Sequence, residues 1–127
     1  MAVKIRDYEV RLTRGKDERR LVRELRYRCF VEEEGFPASA EQKELREEYD
    51  EFDQSAEYMG VFHRGVIIGT YRILDRASAE KTGGFYSETE FDISKIKRRR
   101  GNICEMSRAC IDKDYRENPL VMSMLWI

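Results

Sequence analysis

Ile103-Cys104-Glu105-Met106-Ser107-Arg108-Ala109-Cys110-Ile111 carries a carboxylate, a hydroxyl and a guanidinium inside what is otherwise an apolar, strand-like run. Period-two alternation predicts Ile103, Glu105, Ser107, Ala109 and Ile111 on one face of a strand, with Cys104, Met106, Arg108 and Cys110 on the other. Glu105 and Ser107 then share a face. Burying an ionised carboxylate costs several kcal/mol unless it is paired or borders a wet cavity. Two readings of Glu105 follow: a site cut into the sheet, or a sheet-edge salt bridge.

Outward from this stretch, Tyr58-Met59-Gly60-Val61-Phe62 and Val66 to Leu74 are apolar enough for central strands and are predicted to form a hairpin across His63-Arg64-Gly65. Alternation sets Arg72 on the face of Ile68, Thr70 and Leu74, a cation where the pattern expects burial. Tyr8 to Leu12 also alternates and ends at Thr13-Arg14-Gly15. A helix is predicted from about Asp17 to Glu33, with an apolar stripe of Leu21, Val22, Leu25 and Cys29, and with Gly35 and Pro37 to stop it. Val22, Arg26 and Phe30 stand in one i, i+4, i+8 row of that helix. Arg26 therefore borders buried surface, either as a snorkelling side chain or as part of a polar network.

Ser39 to Glu48 is charged and predicts a short, mostly solvated helix, after which the acidic Tyr49-Asp50-Glu51-Phe52-Asp53 breaks the period. Lys81-Thr82-Gly83-Gly84 reads as a turn, and Phe85 to Ile96 as a loop with a short helix around residues 88–93. The basic run Lys95-Ile96-Lys97-Arg98-Arg99-Arg100 suits either a solvated loop or the docking of an acidic partner. Pro119 opens a helix that runs through an apolar tail to Trp126-Ile127 with no capping signal, so the expectation is the N-terminal portion of a longer domain.

The length of 127 residues fits one domain, and a formal net charge of -1 argues against general nucleic-acid binding. No window approaches the roughly 18 apolar residues of a membrane span, and no signal-peptide core follows Met1, so a cytoplasmic location is the default expectation. Cys29, Cys104 and Cys110 match neither a disulfide framework nor a zinc spacing and are read as reduced, small apolar residues, the last two on one strand face. The only histidine, His63, is assigned to a solvated turn, which removes support for histidine triads and histidine-rich metal sites.

Five segments in order, Leu25 to Phe30, Tyr49 to Asp53, Gly69 to Arg72, Gly84 to Asp92 and Glu105 to Arg108, resemble the autoinducer-synthase-like N-acyltransferases of the GNAT-type superfamily, over about residues 20–126. That group includes acyl-homoserine-lactone synthases, ornithine N-acyltransferases and N-acyl amino acid synthases. Glu105-Met106-Ser107-Arg108 is similar to the lactone synthases, whereas Gly83 to Ser87 and Phe91-Asp92-Ile93 are similar to the ornithine enzymes. The lactone synthases usually have tryptophan where this chain has Phe36, and a proline-rich stretch that is absent between Arg76 and Gly84. The resemblance therefore favours acyl transfer to an amino acid such as ornithine over lactone synthesis from S-adenosylmethionine. A noncatalytic module that binds acyl chains or carrier protein is the alternative from another class.

The resemblance implies an α/β fold, with a central mixed, mostly antiparallel sheet flanked by helices and with further strands and a helix beyond residue 127. It implies an acyl-phosphopantetheine thioester as donor substrate, on acyl carrier protein or coenzyme A, with no permanently bound cofactor and no metal. A small amine is the acceptor, and peripheral contact with a membrane is a further expectation. Arg26, Phe30, Asp50, Asp53, Arg72, Phe85 and Arg108 match positions used for substrate contacts or for a bracing polar network. Backbone amides from Arg108 to Cys110, with Ala109 and Cys110 named for the thioester, match the oxyanion donors of a strand that splays open. Lys97, Arg98, Arg99 and Arg100 suit an acidic carrier.

The chemistry itself asks for a base more than for a better leaving group. A thiol of pKa about 8.5 departs readily as thiolate, whereas an α-amino group near 7.7–8.0 is mostly protonated at neutral pH. Glu105, acting through water, is the candidate for removing that proton, with Ser107 either orienting the thioester or satisfied as a plain strand serine.

Overall fold

The computed structural model describes residues 1–126, so Ile127, the end of the apolar tail, lies outside the described residues. Five strands form one sheet in sequence order: β1 (Ala2–Ile5), β2 (Tyr8–Leu12), β3 (Glu57–His63), β4 (Val66–Asp75) and β5 (Cys104–Ile111). Every neighbouring pair is antiparallel, so the parallel component of a mixed sheet is not found among the described residues. β1, which has no counterpart among the predicted elements, joins β2 through a tight turn with Arg6 at φ 56°. The predicted β3–β4 hairpin forms across Arg64-Gly65, where φ is 51° and 81°.

The long helix begins as α1 (Gly15–Arg26), with Asp17 and Glu18 in its first turn and Arg23 and Arg26 in its last, the arrangement that the helix dipole favours. It continues through Tyr27–Glu33 as a wider π-helix, which makes room on its inner side for Tyr27, Cys29 and Phe30. Ser39 caps α2 (Ala40–Leu45), and Asp50 caps a short 3₁₀ helix over Glu51–Ser55, with Asp53 bonding back to the Asp50 backbone N–H. α3 (Arg76–Lys81), also unforeseen, is capped by Asp75. The short helix expected around residues 88–93 is instead a 3₁₀ turn at Tyr86–Thr89 and α4 (Ser94–Lys97), because Asp92 caps Ser94 and Glu88 bonds back to Phe85 N–H. α5 (Pro119–Leu125) begins at the predicted proline and is capped by Asn118.

The sheet separates two apolar cores. On one face α1 and its π extension pack Val22, Leu25 and Cys29 against Phe52, Tyr58, Phe62, Leu74 and Phe85. On the other, α5 packs Val121, Met124 and Leu125 against Val10, Val61, Ile68, Tyr71 and Ile111.

Two bulges break the simple alternation. Val61 pairs with Gly69 and Phe62 with Ile67, so Ile68 is the extra residue and joins the α5 core rather than sharing a face with Arg72. On β5, Ser107 pairs with Arg72 and Cys110 with Thr70, leaving Arg108 and Ala109 opposite Tyr71. Arg108 takes φ 53° there. Beyond this bulge Cys110 lies on the Glu105–Ser107 face and Ile111 on the opposite one, so Cys104 and Cys110 do not share a face. The cause is the inserted residue, which shifts the period by one.

Candidate functional site

The α1-facing side of β4 and β5 holds a closed ring of alternating charge. Arg26 bonds Glu48 (Nε–Oε2 2.6 Å), and Glu48 receives Arg108 (3.1 Å). Arg108 reaches Asp50 (3.3 Å), and Asp50 receives Arg72 (2.6 Å). Arg72 lies 3.4 Å from Asp53, which closes the ring with a two-bond contact to Arg26 at 2.7 and 3.1 Å. Three cations and three carboxylates cancel, which is how Arg26 and Arg72, each only 1% exposed, tolerate burial. The snorkelling reading of Arg26 is thereby replaced by the network reading.

Burial pushes the Asp53 carboxyl up, but the charge and hydrogen bonds of Arg26, with Arg72 behind them, outweigh it and hold that carboxyl far below the usual range. Burial alone would weaken the positive charge on Arg26, and Asp53 then Glu48 more than restore it. Tyr58, which donates to Asp53 at 2.8 Å, is pushed up to about 12 by burial and then by the Asp53 charge. Arg72 uses Nε on Ser107 (3.0 Å), lies 5.6 Å from the ring centres of both Phe52 and Tyr86, and leaves its buried Nη2 without a hydrogen-bond partner among the described residues. Arg108 lies over Tyr86 at 4.9 Å.

Glu48, buried at 6% exposure, is the ring member that sequence reasoning missed. Its neighbour Glu47, also buried, pairs with Arg23 at 2.7 Å. Both belong to the stretch expected to be mostly solvated, which holds for α2 itself and for Arg46 but not for Glu47 and Glu48 beyond them. A run of glutamates has no local signal of burial, because its partners are distant in sequence.

Among the described residues Glu105 makes no ion pair and no hydrogen bond with Ser107. Its carboxylate accepts from the backbone N–H groups of Tyr86 (3.0 Å) and Ser87 (2.7 Å) and from the Ser87 hydroxyl, anchoring the 3₁₀ turn over β5. With Phe85, Ser87, Ile93, Ile96, Ile103 and Cys104, it lines an apolar pocket of about 160 Å³. Lys97, the last residue of α4, and Arg98 to Arg100 after it are exposed and follow the pocket residue Ile96 in the chain, and the carbonyls of Lys97, Arg99 and Gly101 accept from Arg76.

A larger cleft, about 380 Å³, borders β5 between the π-helical segment and α5. Ala109, Cys110 and Ile111 form one wall, and Phe30, Leu125 and Trp126 are among the rest. The bulge therefore opens the strand at the place where the cleft begins. Trp126 stacks on Tyr71 (centroids 5.4 Å) and stays 54% exposed.

His63 is not a solvated turn residue. It stacks on Tyr8 at 4.3 Å and bonds Tyr115 Oη at 2.7 Å and Asp7 at 3.1 Å, a brace between the β1–β2 turn and the segment after β5.

Residues 25–126 match the family model described as acetyltransferase (GNAT) domain. The chain is 32% identical over 132 residues to the L-ornithine N(alpha)-acyltransferase of Brucella abortus, covering 97% of this chain and 47% of that protein. It is 33% identical over 132 residues to the enzyme of the same name from Rhizobium meliloti, covering 97% and 44%. The chain thus spans about half the length of the curated relatives it matches. Among solved structures, FeeM, an N-acyl amino acid synthase from uncultured soil microbes, superposes with a TM-score of 0.66 at 17% identity, over 94% of this chain and 60% of FeeM. The AHL synthase LasI gives 0.58 at 21% identity, over 87% and 56%. Both structural likenesses carry the fold.

Proposed function

The chain belongs to the GNAT acetyltransferase family, and from that premise we propose that it forms part of an N-acyltransferase moving a fatty acyl group from a carrier-bound thioester to the amine of an amino acid such as ornithine. The observation that carries this reading is the β5 bulge at Arg108-Ala109, a break in the ladder that opens directly onto the 380 Å³ cleft. A thioester seated there meets the backbone of Ala109 and Cys110, whose amides are the candidates for stabilising the oxyanion as nitrogen attacks the carbonyl. The C–S bond then breaks, the thiolate leaves, and the amine proton passes to a base.

Glu105 is that base in our reading. An ionised carboxylate offers about four lone-pair sites. Three donors occupy Glu105, so it retains room to accept from a water that relays the proton. Ser107 is held by Arg72 and orients the thioester. Arg72, buried and lining neither pocket, acts through the Ser107 hydroxyl that it holds. Arg26, Asp50, Asp53 and Arg108 act as the brace beneath these groups, while Phe30 supplies apolar wall to the cleft and Phe85 to the smaller pocket. The exposed cations Lys97 to Arg100 suit a strongly acidic carrier protein as donor.

The test is mass spectrometry of organic extracts from cells expressing the full-length protein, compared with its Glu105→Gln variant. A new acyl amide is expected, reduced by about 10²–10⁴-fold in the variant, the usual worth of a general base. An undiminished product removes Glu105 from the mechanism, and no acyl amide in the parent defeats the acyl-transfer reading.

A further inference from the structure

Two thiols that the proposed chemistry does not use share the wall of the large cleft. Cys29 comes from the π-helical segment and Cys110 from β5 just past the bulge, and both line the 380 Å³ space. Cys110 packs against the same core group that holds Cys29. Cys29 also donates to the Ile111 carbonyl at 3.6 Å and receives Arg116 Nη2 at 3.7 Å. Arg116 is itself fixed, by Ile111 O at 2.9 Å and Glu33 at 2.7 Å.

We propose that Cys29 and Cys110 are a redox-modification site, joined by a peroxide into a disulfide that ties the long helix to β5 across the cleft wall. With Cys29 Sγ against the carbonyl of the residue next to Cys110 and both side chains in one core, side-chain rotations can bring the sulfurs to the about 2.05 Å of an S–S bond. The environment also divides the roles. The neighbouring Cys110 thiol, then Arg116 against the opposing cost of burial, holds the Cys29 thiol below its ordinary range, whereas the Cys29 sulfur and burial push Cys110 well up. Cys29 is thus the attacking thiolate and Cys110 the resolving thiol.

Cys29 thiolate attacks one peroxide oxygen, the O–O bond breaks, and hydroxide leaves and is protonated to water. Cys110 sulfur then displaces that hydroxyl from the Cys29 sulfenic acid, releasing a second water. Each sulfur gives up one electron, and the peroxide is reduced to two waters.

Cys104, exposed and remote in role, is an internal control for the experiment. The chain is treated with hydrogen peroxide, unfolded, alkylated with iodoacetamide and weighed intact. The expected product has lost two hydrogen atoms and carries one adduct, at Cys104, and dithiothreitol restores three adducts. Cys29→Ser and Cys110→Ser, each checked for native circular dichroism, must both abolish the hydrogen loss. Three adducts after peroxide, or a dimer through Cys104 with Cys29 and Cys110 still alkylated, would overturn the proposal.

The chain has a single tryptophan, Trp126, and it lines the same cleft, so its fluorescence reads occupancy by added myristoyl-coenzyme A. Reduced protein is expected to bind and the disulfide form to bind at least about tenfold more weakly, a difference of about 1.4 kcal/mol. Equal binding by both forms would overturn an effect of the disulfide on the cleft. Absence of binding even to the reduced form would instead count against the donor-site reading, while the mass measurement still judges the disulfide.

Discussion

Replacing Asp53 with asparagine keeps shape and removes one charge from the closed ring. Asp53 takes two donors from Arg26, one from Tyr58 at 2.8 Å and one from the Asp50 backbone at 2.8 Å, with Arg72 Nη1 at 3.4 Å. Asparagine turns one acceptor oxygen into a donor that faces other donors, and it leaves three guanidiniums, two of them buried, against two carboxylates. Breaking a buried pair in this way costs about 3–5 kcal/mol. With a urea m-value of about 2 kcal/mol/M, the unfolding midpoint should fall by about 1.5–2.5 M. The exposed Arg20–Glu24 pair is the control, and Glu24→Gln there should cost no more than about 0.5 kcal/mol.

The sign of the pH dependence is an independent check on the same residue. A carboxyl whose folded pKa is depressed contributes stability that is complete above its unfolded value of about 3.9 and is lost as pH falls below it. The gap between parent and Asp53→Asn should therefore be full at neutral pH and narrow steadily in acid. A midpoint shift below about 0.5 M, or a gap that does not change with pH, would refute the view that the ring braces the fold.

Two further outcomes follow from local geometry. Glu18 is held down to about 2 by its hydrogen bonds from Arg11, with the Arg14 backbone N–H adding to them, so Glu18→Gln should cost about 0.5–1 kcal/mol at neutral pH. That cost should fade as pH drops from about 4.3, the unfolded value, to about 2, as read by urea titrations at several pH values. Arg108→Ala and Arg108→Gly lose the same ion pairs, but only glycine takes φ 53° freely, so the glycine variant should be the more stable by about 1 kcal/mol in urea unfolding. The reverse order would show that the bulge backbone is not retained in the variants.

Much of the fold was legible from local pattern. Alternation marked β2, the β3–β4 hairpin and β5, the apolar stripe marked the long helix, and Pro119 marked the start of α5. Five motifs in order pointed to the acyltransferase family before any contact was known, and the family match bears that out. Arg26 and Arg72 stood out because a cation interrupted a buried face, and both prove to be buried. Local pattern misled wherever one residue was inserted. The bulges at Ile68 and at Arg108-Ala109 moved Ile68, Cys110 and Ile111 to faces that strict alternation had denied them. Glu105 read as a carboxylate facing a neighbouring polar group, whereas its partners come from the Tyr86–Ser87 backbone, 18 and 19 residues earlier in the chain.

What the sequence determined alone was therefore the set of elements and the chemical types available, because helix and strand periods arise from neighbours a few residues apart. The tertiary structure decided how the charges are paired and which surface becomes a cleft. Glu48 meets Arg26 across 22 residues of chain and Arg108 across 60, and such a buried ring forms only where the folded sheet brings opposite charges together away from water.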